Sequence, residues 1–177
     1  MATGWTQAEL DALCALMEAL TPEVPCDADK HRAARVTAMR VAGTEKGLLF
    51  NFEMKGGHTD LFWLNCWVAK ELAGAINVAN QAYGWLKRGL SPAPSQHLRP
   101  PTTDDLPDGA DVISLATLAE PGGMLVRLVI ERQPQHRLMF FPVKACLEIL
   151  SAVGQGGNAA GWWGSDFELI PRRESQN

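Results

Sequence analysis

The sequence lacks any uninterrupted run of the roughly 18 apolar residues that a bilayer-spanning helix requires, so no membrane segment is expected. It also lacks a CxxC pair. The cysteines Cys14, Cys26, Cys66 and Cys146 are scattered, and the first 20 residues are polar and acidic rather than basic and then apolar. Free thiols in a cytoplasmic protein without an export leader are the expectation. Neither GxxxxGK[ST] nor GxGxxG occurs, and Gly154-Gln155-Gly156-Gly157 follows a helical pattern instead of opening one, which sets aside the usual nucleotide cradles. Positive charge is short as well. A net charge of −4 disfavours broad attraction to nucleic acid or anionic lipid.

What remains is ordinary for a folded domain, with 46% apolar and 20% charged residues in a chain of 177. Thr6-Gln7-Ala8-Glu9 is a capping-box pattern, and Leu10, Leu13, Leu16, Met17 and Leu20 follow at helical spacing until Pro22. An amphipathic N-terminal helix and a loop over 21–30 are predicted. Residues 35–42 predict a short strand ended by Gly43. Residues 48–55 alternate Leu48, Phe50, Phe52 and Met54 with Asn51, Glu53 and Lys55, the period of a half-buried strand. Gly56-Gly57 suits a tight turn, and 61–67 returns as the partner strand. That turn, with two or four loop residues, puts Leu61, Trp63 and Asn65 on the face of Phe50 and Phe52, leaving Phe62, Leu64 and Cys66 opposite. Val68, Leu72, Ile76, Ala79, Tyr83 and Leu86 then mark a helix closing near Gly89. Residues 89–110 carry five prolines and predict a mobile linker.

The same order recurs. Residues 112–119 predict a strand, Met124, Val126, Leu128 and Ile130 take the places of Leu48, Phe50, Phe52 and Met54, and Gly123 matches Gly47. Met139, Phe141 and Val143 match Leu61, Trp63 and Asn65, and Gly161-Trp162 echoes Gly84-Trp85, at offsets of 76 to 78 residues. The predicted fold is α+β: an N-terminal helix and loop (1–30), a first βββα repeat (31–88), a Pro-rich linker (89–110), and a second βββα repeat with a Gly/Trp-rich tail (111–177). Antiparallel sheets related by a pseudo-twofold duplication are expected, joined into one curved sheet or paired about the axis.

Chemistry-bearing residues are sparse. Cys26, Asp27, Asp29 and His31 share one loop but lack the paired spacing of a zinc site. Glu53 and Asp60 are expected to face each other as solvated charges on an outer sheet face. No catalytic residue, cofactor or metal is assigned. The aromatics are more informative: Phe50, Phe52, Phe62, Trp63 and Trp67 lie within one hairpin, and its face carrying Phe62 and Leu64 needs a cover, with burial within the chain the base expectation and a partner-binding surface of Phe62, Trp63, Leu64 and Trp67 the sharper alternative. Arg35 and Arg40 stand near it, and Trp162 and Trp163 interleave with the tail glycines.

Duplicated sheet-then-helix units resemble the Whirly and PUR-type single-strand nucleic-acid binders, which place four strands before each helix. The order helix, three strands, helix, further strands, helix in a small acidic protein also resembles type III secretion chaperones and their YbjN-like relatives. These are likenesses of architecture alone, and no residue role is carried over. The leading expectation is a non-enzymatic, cytoplasmic binding, chaperone-like or scaffold protein that holds a protein partner on an apolar, aromatic sheet face, as a homodimer. The alternatives are single-stranded nucleic-acid binding through Phe62, Trp63, Trp67 and nearby arginines, and an enzyme with a small-molecule pocket between the repeats.

Overall fold

The computed structural model describes residues 6–90, 96–133 and 135–161. The chain is a mixed α+β fold with a six-stranded closed barrel and three α-helices. Helix α1 (Gln7–Leu20) comes first. At its start the Thr6 backbone N–H donates to the Glu9 carboxylate (2.7 Å) and the Glu9 N–H to the Thr6 hydroxyl (3.3 Å). Strands β1 (Ala34–Gly43), β2 (Gly47–Met54) and β3 (Thr59–Asn65) form an antiparallel meander that runs into α2 (Cys66–Tyr83). Strands β4 (Ala110–Glu120), β5 (Gly123–Ile130) and β6 (Arg137–Pro142) form another, which runs into α3 (Val143–Ala160). Trp162, Trp163 and the rest of the expected Gly/Trp-rich tail after Gly161 lie outside the described residues.

The barrel corrects the expectation of purely antiparallel sheets. β4 pairs with β3 in parallel through Phe62–Ala110, Trp63–Asp111 and Leu64–Val112, and β1 pairs with β6 in parallel through Ala34–Met139 and Arg35–Phe140. A parallel partner needs a crossover, and the stretch containing α2 supplies one between β3 and β4. α2 packs on β4 and α3 on β1, and the two helices touch each other. Inward side chains of both meanders and buried faces of α2 and α3 share one core.

The first hairpin also differs from its sequence reading. Met54 N–H donates to His58 O and Gly57 N–H to Met54 O, leaving the three loop residues Lys55, Gly56 and Gly57, with both glycines at positive φ. An odd loop reverses the facing expected from two or four residues. Phe50 therefore stands opposite Phe62 and Leu48 opposite Leu64, and these four point into the core. In the second meander Val126 stands opposite Met139 and Met124 opposite Phe141, so Met139 and Phe141 match Phe62 and Leu64 rather than Leu61 and Trp63.

Residues 96–109, expected to belong to a mobile linker, are tied to the barrel. A 3₁₀ turn at Thr103–Asp108 opens with the Thr102 N–H donating to Asp105 (2.7 Å), and Arg99 grips the same carboxylate with two bonds of 2.8 and 2.9 Å. Asn51, on the outer face of β2, donates to the Arg99 carbonyl (3.1 Å). The overlooked signal was Thr-x-x-Asp, a capping pattern hidden among prolines. A similar 3₁₀ turn, Asp27–His31, has Cys26 N–H donating to Asp29 (2.8 Å), and Asp29 reaches Arg127 on the outer face of β5 (3.1 Å). Asp29 also pairs with Arg32, and Lys30 with Glu120.

Two expectations test this arrangement. A Cβ at Gly47 would overlap the Leu64 carbonyl and one at Gly123 the Phe141 carbonyl, whereas one at Gly122 would meet only the tip of Glu120 at 3.7 Å. Gly47→Ala and Gly123→Ala should each cost about 2 kcal/mol or more in denaturant unfolding and Gly122→Ala about 0.5 or less. Equal costs would contradict the close approach. The Arg99 guanidinium, and then the Thr102 N–H, hold Asp105 down at about 2, against an ordinary 3.8. The unfolded chain thus takes up this proton first, so the stabilisation is whole above about pH 4 and drains away toward about pH 2. Asp105→Asn should lower stability near neutrality and flatten that acid limb in thermal melts.

Candidate functional site

The residues expected to form one binding face are dispersed by the fold. Phe62 and Leu64 are 1% and 2% exposed, and Phe62 packs with Phe52, which in turn stacks on Phe50 (5.2 Å) and meets Phe141 (5.3 Å). Their cover is the rest of the same core, so the apolar sheet face is internal and closed to any partner. Trp63 is half-buried at the β3–β4 seam. Arg35 is exposed, its guanidinium 4.9 Å from the Phe140 ring centre, and Arg40 is half-buried near Glu148. Trp67 alone of the described aromatics among them stands in solvent, at 76% exposure, with the Lys70 ammonium 5.1 Å from its ring.

Trp67 belongs to a surface that the earlier grouping did not contain. Asn65 caps α2, its Oδ1 accepting from the N–H of Trp67 (3.0 Å) and of Val68 (3.1 Å), which sets the phase of the helix. Val68, Leu72, Ile76 and Ala79 face the core. The outward stripe carries Trp67, Glu71, Gly74, Val78 and Ala82, with Val78 66% exposed. Leu86 follows the helix at 50% exposure, and Ile113, at a register break in β4, is 39% exposed.

Comparison with the other helix shows that the fold does not demand this. A shift of 77 residues carries the bounds of α2 onto those of α3, both ending in a left-handed glycine, Gly84 (φ 63°) and Gly161 (φ 68°). The positions matching Trp67, Gly74 and Val78 are Lys144, Ser151 and Gln155. β1 has the same register break as β4, and Thr37 stands there where β4 has Ile113. A buried Val gains about 1.5–3 kcal/mol over an exposed one, so the outward face of α2 leaves burial energy unused where the matching positions of α3 are polar. Glu71 and Glu148 occupy matching positions, and partial burial pushes both carboxyls up, with Arg40 opposing the effect at Glu148.

The remaining reactive groups are engaged structurally. Asp60 turns inward instead of toward Glu53, and Arg137 binds it at 2.6 Å with its guanidinium 5.7 Å from the Phe62 ring centre. Glu53 meets His97 instead (3.1 Å). Beside Asp60 lies a cleft of about 360 Å³, but its Arg99 and Arg137 are already held by carboxylates. Burial pushes the Cys146 thiol up to about 12, and its S–H reaches the Phe141 carbonyl (3.4 Å). Among the described residues no group of three or more His, Cys, Asp and Glu is arranged to hold a metal, and no helix is long and apolar enough to cross a membrane.

No family model matches the chain, and no curated protein matches it in sequence.

Truncation should separate surface from core. Trp67→Ala and Val78→Ala should change unfolding free energy by about 0.5 kcal/mol or less, while Phe62→Ala and Leu64→Ala should each cost roughly 2–5 kcal/mol. A large loss at Val78 with little at Phe62 would contradict the facing described above.

Proposed function

We propose that the chain is a non-enzymatic protein-binding module, built by duplication of one unit, whose binding surface is the exposed face of α2. The observation that carries this reading is the contrast between Trp67 and Val78 on the outward face of α2 and Lys144 and Gln155 at the matching positions on α3. Duplication gives the contrast its meaning. A shift of 76 residues takes the Cys26–Asp29 cap to the Thr102–Asp105 cap and the Val36/Ala38 register break to Val112/Ser114; Gly47 becomes Gly123, and both glycines crowd a facing carbonyl. Equivalent frames with unequal surfaces indicate that one side acquired or kept a task. Exposed Trp, Val and Leu beside a lysine are the anchors of a protein contact, with a polar rim around them. Free cysteines and the acidic charge fit a reducing cytoplasm and weigh against nucleic acid.

Ala82 and Ala159 occupy matching exposed positions on α2 and α3. A photo-cross-linking residue placed at position 82 should give a discrete protein adduct, identified by mass spectrometry, and one at 159 should give none. Equal adducts at both positions, or none at 82, would overturn the reading. So would retention on single-stranded DNA that falls steeply with salt.

A further inference from the structure

Resting on the protein-binding reading, we infer that the occupant of this face is a second copy of the chain, with the two α2 helices antiparallel and Val78 at the twofold axis. Gly74, Val78 and Ala82 recur every four residues, which makes a low ridge of the kind that helices interlock. The ridge is open, for a Cβ at Gly74 would meet nothing within 4 Å. Reversal about Val78 lays Gly74 of one copy against Ala82 of the other, small against small, and lets the axes approach to about 8 Å. The large side chains fall at the two ends. At 1.5 Å per residue Trp67 lies roughly 16 Å from the axis, and the exposed Leu86 follows the opposite end of the helix, beyond Gly84.

Charge selects the same orientation. Glu71 lies about 10 Å from the axis, and the exposed Lys87 and Arg88 follow the far end of the helix. Antiparallel pairing brings each Glu71 beside the other copy's basic pair, whereas parallel pairing sets Glu71 against Glu71. Burial already pushes the Glu71 carboxyl up, so a counter-charge there relieves a cost that the single copy carries. On α3 the ridge positions are Ser151, Gln155 and Ala159, with Lys144 in place of the tryptophan. A self-complementary patch is what a closed twofold dimer requires.

The full chain should sediment as a dimer at about 100 μM and dissociate on dilution. Val78→Asp should weaken the dimer at least about tenfold with an unchanged circular dichroism spectrum, and Gln155→Asp, its counterpart on α3, should leave it intact. Lys87→Glu should weaken it several-fold, and adding Glu71→Lys should restore it. A monomer at about 100 μM, a dimer insensitive to Val78→Asp, or loss of the dimer on deleting residues 1–20 while Val78→Asp has no effect, would each overturn the inference. The adduct at position 82 separates the two proposals. An adduct with a different protein overturns self-association alone, and no adduct overturns both.

Discussion

A meander of three strands ends with its last strand running in the direction of its first. Two such meanders could close a barrel through antiparallel joins and hairpin links; here they meet last strand to first, in parallel, at both joins. Each join is short, over Phe62–Leu64 with Ala110–Val112 and over Ala34–Arg35 with Met139–Phe140. Parallel joins cannot be made by hairpins. The stretch holding α2 therefore links β3 to β4, and α3 takes the corresponding place against β1. The helices thus follow from the parallel joins as well as contributing to the core, and their outer faces are the freest part of the design.

The outer faces of β2 and β5 are held differently. Each is crossed by a 3₁₀ turn whose aspartate accepts a backbone N–H and an arginine, through Asn51 and the Arg99 carbonyl on one side and Arg127 with Asp29 on the other. Carboxylates in such positions stay charged, which keeps these straps closed at neutral pH. The barrel is consequently covered inside by apolar packing and outside by charge-assisted caps, whereas the outward face of α2 keeps exposed apolar side chains.

Much of the frame was legible in the sequence, because alternation in 48–54 and 124–130 and the helical periods after Val68 and Val143 report burial directly. The facing of β3 was not. It turned on whether the loop after Met54 holds two, three or four residues, and Gly56-Gly57 serves each of these. One residue of error moved Phe62 and Leu64 from the core to an imagined surface. Closure by parallel pairing was hidden for another reason: the pairs that make it lie far apart in the chain and carry no local pattern. Val78 was passed over because a single exposed apolar residue is unremarkable. It gains significance only beside Gln155, once the two halves are laid over each other with the correct one-residue offset in β6.

Asp60 and Arg137 stand at matching places in the two meanders, opposite Phe52 and Leu128, and hold each other across the barrel. Two copies of the first half alone would bring aspartate against aspartate, and two copies of the second arginine against arginine. Opposite charge at these matching places thus favours pairing of one half with the other over pairing of either with its like.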